Sequence, residues 1–362
     1  MKQLQEATRK TNQNSTKIEI LNFTEMQKLF KRKTASSGRI QLDDKQLSLV
    51  CSDPDIQGIV ILRNHINPSH QKLLIIESLN NCNKLPNLNN LHKYFEIPDC
   101  GLWNLYENYY YNNNPCTITL NQIVHDHNHS HVVPLTIQSA IRSIRWINLG
   151  MSYDWSNKSY YDPLKSLVKL PPNLINPPIS SLIKSVVLDI LKASYSKTGF
   201  DPLKYKSDAG IINLYGLKDT LMAHQDKSEN DSESPLVSIS IGHSCVFLIG
   251  TEDRNDQPIP IILNSGDSLV MFGVGRRRFH SVPRILENTL PLYLFPSSTA
   301  IERYISELDS FSRALRLDWL HKDLERIKIE ESSQNIDRDW DVYGQLLLES
   351  RVNINIRQMN RE

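Results

Sequence analysis

The period of the apolar positions changes along this chain. Residues 178–195 put Ile179, Leu182, Ile183, Val186, Val187 and Ile190 on one side of a helix. Beyond them the pattern breaks into strand-length segments separated by turns, at 211–216, 220–225, 236–242, 245–249, 259–263, 268–273, 279–283 and 350–358. Eight short strands at this spacing predict an all-β sandwich or jelly roll. A βαβ fold would place a helix between successive strands. Asn264-Ser265-Gly266-Asp267 reads as a hairpin turn. A helical insertion at 299–329, with a polar linker after it, separates the seventh strand from the eighth.

Upstream the signals are sparser. Residues 21–33 read as a short amphipathic helix with Thr24 as N-cap and Met26, Leu29 and Phe30 on one face. A buried strand is expected at 56–62, a helix from Pro68 to Leu79 and a further strand at 144–151. Asn-rich stretches at 80–90 and 111–114 read as loops. The predicted organisation is an N-terminal extension, 1–135, of short helices and loops, followed by a β-rich domain, 136–362, with supporting helices.

Composition narrows the choice. The 41 Lys and Arg nearly balance the 40 Asp and Glu, so nucleic-acid binding would rest on local patches and not on a global field. One patch opens the chain, where Lys2 to Arg39 holds nine basic and three acidic residues and includes Lys31-Arg32-Lys33; a solvated helix face explains it too. Five scattered cysteines without a CxxC pair point to a reducing compartment. No apolar run reaches the ~18 residues that span a bilayer. The start lacks the apolar region of a secretory signal. Its basic, Ser/Thr-containing residues resemble a weak mitochondrial presequence, against which Glu6 and Glu19 argue. The expected location is cytoplasm or nucleus, with the mitochondrion an alternative.

His224-Gln225-Asp226 and the distant His280 are the candidate chemistry. Residues i and i+2 of a strand share a face, so His224 and Asp226 aim at one point. An opposing strand of a barrel would bring in His280, 54 residues after Asp226. Two histidines and a carboxylate on one face leave the opposite face open, the facial triad of non-haem Fe(II) oxygenases. An isolated His-x-Asp arises often by chance, so the reading depends on its surroundings.

Arg351-Val-Asn353-Ile-Asn355-Ile-Arg357 supplies them. Its alternation makes a strand with one apolar and one polar face. Two arginines pointing into a barrel leave buried charges unless an anion meets them, and guanidinium forks bind carboxylates bidentately. An edge strand with solvated arginines is the ordinary alternative. Asn213 and Tyr215 form a second same-face pair, one strand before His224, able to donate to the same anion.

Asn213-x-Tyr215, His224-x-Asp226, His280 and Arg351-x-Asn353-x-x-x-Arg357 resemble, in order and spacing, the AlkB family of Fe(II)/2-oxoglutarate dioxygenases. Pro235 to Gly242, Ser265-Gly-Asp267, Ala223 and Phe247-x-x-Gly250 extend the resemblance. Ile144 to Gly150, Tyr153-Asp-Trp155 and Asp339-Trp340 look most like the first eukaryotic AlkB homologue branch. The resemblance spans about 140–358. It implies a double-stranded β-helix in which His224, Asp226 and His280 hold Fe(II). Arg351 would meet the 5-carboxylate of 2-oxoglutarate and Arg357 the 1-carboxylate end, with Asn213, Tyr215 and Asn353 assisting, and O2 as the second co-substrate. The acidic residue many members carry two positions after the iron Asp is Ser228 here.

The resemblance also implies oxidative demethylation of N-methylated bases in tRNA or DNA, with release of formaldehyde, succinate and CO2. The base must then be single-stranded or flipped. Trp155, Tyr153, Tyr160 and Tyr161 are stacking candidates, and loop packing is their alternative. Arg276, Arg277 and Arg278 are phosphate candidates or a solvated surface. The same chemistry on methyl-lysine in proteins is the rival function. His125, His127, His129 and His131 share a strand face if extended, yet lie in a polar stretch outside the recognisable core. Oligomeric state is not legible.

Overall fold

The computed structural model describes residues 48–49, 56–112, 121–122, 135–307 (apart from 152, 155–158, 161–178, 230 and 232) and 340–359. The chain begins with β1 (Ser48–Leu49), β2 (Ile59–Leu62), α1 (Pro68–Ile76), β3 (Phe95–Glu96), α2 (Gly101–Asn112) and β4 (Asn121–Gln122). Next come α3 (Ile137–Ser143), β5 (Trp146–Gly150), β6 (Tyr153–Asp154), β7 (Ser159–Tyr160) and α4 (Ser181–Thr198). The main strands follow: β8 (Ala209–Gly216), β9 (Leu221–His224), β10 (Leu236–Gly242), β11 (Cys245–Ile249), β12 (Ile259–Leu263), β13 (Ser268–Met271) and β14 (His280–Ile285). The last elements are α5 (Ser298–Glu307), α6 (Trp340–Leu347) and β15 (Ser350–Arg357). The helix expected at 21–33 and most of that at 299–329 lie outside the described residues.

Two antiparallel sheets face each other. The larger runs β1-β2-β13-β10-β15-β8-β5 and the smaller β12-β11-β14-β9. From β8 to β15 the chain passes back and forth between the two, which is the double-stranded β-helix expected. Asn264 to Asp267 does form a turn, closed by Asp267 N–H to the Asn264 carbonyl at 3.2 Å. It joins β12 to β13, which belong to different sheets, so it is a crossover and not a hairpin.

Period-two alternation assigns each face of the larger sheet its role. Val60, Ile212, Leu214, Val237, Ile239, Ile241, Val270, Val352, Ile354 and Ile356 point outward to the helices and form one core with them. Their neighbours Ile59, Ile61, Tyr215, Leu236, Leu269 and Met271 point between the sheets and pack with Phe247 and Ile249 of the smaller sheet. Helix α4 covers the outer face, burying Ile183, Val186, Val187, Ile190 and Leu191 against β2, β10 and β13. Its ends match the chain's local chemistry: Ser180 accepts from Ile183 N–H, and Gly199 takes the left-handed conformation at φ 64°. At roughly 1.5–3 kcal/mol per buried aliphatic side chain, the helices commit one face of the sheet to packing. The other face is left for chemistry. Residues 56–112 share this core, since β2 pairs with β13 and Leu74, Leu102 and Trp103 pack within it.

Candidate active site

β9 and β14 pair so that His224 lies directly opposite His280, and a register irregularity follows between His280 and Val282. The imidazole centroids are 4.3 Å apart. Asp226 sits two residues beyond the end of β9, and its carboxylate oxygens lie 3.8 Å from His224 Nε2 and 3.6 Å from His280 Nε2. Ligand atoms of the three side chains all fall within 4.8 Å of one another. The ring nitrogens are sorted by their partners. His224 Nδ1–H donates to the Met222 carbonyl at 2.8 Å and His280 Nδ1–H to the Arg278 carbonyl at 3.2 Å. Each Nε2 lone pair is therefore left for the cluster. Burial, and then the neighbouring His280, lower the His224 pKa and favour its neutral form. Burial pushes the Asp226 carboxyl up, but Arg357 and the two imidazoles together hold it well below the usual carboxylate range. Two imidazoles and a carboxylate, with no thiolate among the described residues of the cluster, fit Fe(II).

The polar face of β15 looks into the space between the sheets. Arg351 is 1% exposed. It donates to the His243 carbonyl at 2.6 Å and to Ser240 Oγ at 2.7 Å, and among the described residues no carboxylate meets it. Tyr215 stands opposite it in register, and burial pushes its phenol pKa up, so the hydroxyl stays a neutral donor. Asn353 pairs in register with Asn213 and donates to Ser238 Oγ at 2.8 Å and to the Ile239 carbonyl at 3.0 Å. At the other end Arg357 Nη1 donates to Glu229 Oε1 at 2.6 Å, and its two terminal nitrogens face the Asp226 oxygens at 3.4 and 3.5 Å. The structure thus brings His224, Asp226, His280, Tyr215, Asn213, Arg351, Asn353 and Arg357 to one side of the fold.

The arginine run 276–278 is a correction. Expected either to meet phosphates or to form a solvated surface, it proves internal at Arg276 and Arg278. Arg276 is 1% exposed and its Nη2 pairs with Glu229 Oε2 at 3.0 Å, while its Nη1 donates to the Ser234 carbonyl. Arg278 is buried and donates to the Gln57 carbonyl at 3.2 Å and to Gly250 at 2.8 Å. Only Arg277 of the three has an exposed side chain, at 44%, paired with Glu252 at 3.0 Å. The turn they occupy is pressed against the approach to β2. A Cβ on Gly275 would stand 2.0 Å from the Gly58 carbonyl oxygen, and Gly58 itself has φ +86°. This turn leads straight into His280, so the arginines brace a ligand strand.

Tyr153 and Tyr160 lie opposite each other in the β6–β7 pair. Trp155, Tyr161, the histidines 125–131 and Lys31-Arg32-Lys33 lie outside the described residues. The residues that sequence reading missed are Glu229, Ser240 and His243. Ser240 was within reach, because Ser238 and Ser240 alternate with Val237, Ile239 and Ile241 along β10. Glu229 sits in a loop where no periodicity marks its direction.

Comparison with known proteins identifies the family of the chain. The model of the 2OG-Fe(II) oxygenase superfamily matches residues 117–357. The tRNA demethylase abh1 of Schizosaccharomyces pombe is 34% identical over 251 residues, covering 69% of this chain and 75% of that protein. The nucleic acid dioxygenase ALKBH1 of Homo sapiens is 29% identical over 226 residues, 61% of this chain and 48% of its own length, so the chain matches about half of that relative. The solved structure of OsALKBH1 aligns with 83% of this chain and 97% of its own at 20% identity, with a TM-score of 0.44. The chain belongs to the 2OG-Fe(II) oxygenase superfamily and, within it, to the AlkB family, whose reaction uses Fe(II), 2-oxoglutarate and O2.

Proposed function

We propose that this enzyme oxidatively demethylates N-methylated bases in nucleic acid, tRNA or DNA. The observation that carries the co-substrate half is Arg351, a buried guanidinium whose partners among the described residues are all neutral, beside a two-histidine, one-carboxylate cluster. A buried cation without a counter-ion is costly, and a dicarboxylate supplies one. Bound iron, with 2-oxoglutarate and O2, supplies hydroxylation of an N-methyl carbon, after which the adduct releases formaldehyde, leaving succinate and CO2 as co-products. The protein's part is orientation. Arg351 and Tyr215 would hold the distal carboxylate and Arg357 the keto-acid end, with Asn213 and Asn353 assisting.

The substrate half rests on the names of the relatives, which include a tRNA demethylase, a DNA N(6)-methyladenine demethylase from Arabidopsis thaliana and a nucleic acid dioxygenase. The base would enter single-stranded or flipped, with Trp155, Tyr153, Tyr160 and Tyr161 as stacking candidates and Arg277 as the exposed cation nearest His280 in sequence. Among the described residues no helix is long and apolar enough to cross a membrane. The free thiols of Cys82, Cys100 and Cys245 support a reducing, intracellular site.

The test is incubation with Fe(II), 2-oxoglutarate and a panel of methylated RNA, DNA and histone-type peptides, followed by mass spectrometry. Loss of a methyl group from at least one nucleic acid, with formaldehyde in equal amount, is expected. Turnover confined to methyl-lysine peptides would overturn the reading.

A further inference from the structure

Glu229 occupies a position that the reading of the site as an iron centre does not explain. Its side chain is fully buried, and it bridges two arginines that are distant in sequence. Arg357 arrives on β15 and Arg276 on the turn before β14. Arg357 faces two carboxylates at unequal range. Its Nη1 is 2.6 Å from Glu229 but 3.5 Å from Asp226 Oδ1, and its Nη2 is 3.4 Å from Asp226 Oδ2. The fork is thus parallel to the Asp226 carboxylate yet stretched beyond the roughly 2.7–2.9 Å of a formed charge-assisted pair. A guanidinium that closed this gap would occupy both Asp226 oxygens, one of which a metal needs.

We propose that Glu229 is a positioning residue: backed by Arg276, it draws Arg357 off Asp226 and keeps that carboxylate available to the metal. Arg276 is itself fixed, through the Ser234 carbonyl and the packing of Gly275 on Gly58. Ser234 is held in turn by Asp231, which accepts from its N–H at 2.9 Å. Arg276 is therefore held on the side away from Glu229 by a backbone carbonyl and a tightly packed turn. Without Glu229, Arg357 swings onto Asp226 and competes with the ion.

This rests on His224, Asp226 and His280 being the iron ligands, and the experiment separates the two claims. Mn(II) alone, as a redox-silent probe of the Fe(II) site, is titrated into the full chain without co-substrate or nucleic acid and followed by calorimetry and electron paramagnetic resonance. Wild type binding no Mn(II) would overturn the ligand set itself. Glu229→Gln is expected to weaken Mn(II) binding about tenfold, and adding Arg357→Met to restore it to within about twofold of wild type, because the competitor has gone. A purely structural role predicts no such rescue. Unchanged binding in Glu229→Gln, or a double variant no tighter than the single, overturns the proposal. Should Glu229→Gln fail to fold, Glu229→Met with Arg276→Met removes the pair without changing the net charge and must show the same weakening, again relieved by Arg357→Met.

Discussion

The two ends of β15 present the same side chain in opposite electrostatic settings. Arg351 and Arg357 lie on one face of one strand, and both are buried. Arg351 meets a carbonyl and a hydroxyl, whereas Arg357 meets two carboxylates. The second has carboxylates to offset its charge, and among the described residues the first has none. Equal burial is therefore met by unequal partners, and under the proposed function one arginine would be a binding group and the other also a support of the metal site.

Substitutions that keep volume and remove charge separate these roles. Arg357→Met leaves Asp226 without its guanidinium and Glu229 with Arg276 as its remaining arginine partner among the described residues, and should cost about 3 kcal/mol or more of stability, read by denaturant unfolding. An unchanged midpoint would show that the carboxylates do not depend on Arg357. Arg351→Met should leave the unliganded protein as stable as wild type, or more so, because a buried cation with neutral partners is replaced by an apolar chain. Its 2-oxoglutarate affinity should fall by about 2 kcal/mol or more, roughly thirtyfold, measured by calorimetry in the presence of Mn(II). Wild-type affinity would remove Arg351 from the co-substrate site. The smallest effect belongs to Arg277→Ala. Its exposed pair with Glu252 contributes about 0–1 kcal/mol, so stability and 2-oxoglutarate affinity should hold. The salt dependence of nucleic-acid binding should drop by about one phosphate contact. An unaltered slope would leave none of the three arginines facing a phosphate backbone.

Legibility followed the same physical divide. Strands were readable because one face of each is committed to a core, and the alternation in Arg351 to Arg357 fixes both register and direction. The arginine run 276–278 was misread because three adjacent cations carry no periodicity, and only tertiary partners decide which of them is buried. Helix α2 was missed for another reason. Asn104, Asn108 and Asn112 dilute its pattern, and the expected loop at 111–114 overlaps its end. What holds it is stacking from a distant part of the chain, with Trp103 and Tyr343 ring centroids 4.7 Å apart. The metal triad was visible as residue types, but the choice of Nε2 depends on the carbonyls of Met222 and Arg278, which no side-chain motif encodes.

The place of β15 in its sheet bears on the order in which the enzyme becomes an enzyme. It is the last described strand in sequence, yet it sits in the interior of the larger sheet, paired with β10 on one side and β8 on the other. Both neighbours precede it by more than a hundred positions, so each pairing closes a long loop, and such non-local contacts form slowly. During synthesis the smaller sheet, with His224 and His280, can assemble while the larger one remains split. A nascent chain of that length would own His224 and His280 of the proposed metal site and neither Arg351 nor Arg357. Late insertion of this one strand thus couples completion of the fold to oxidative competence.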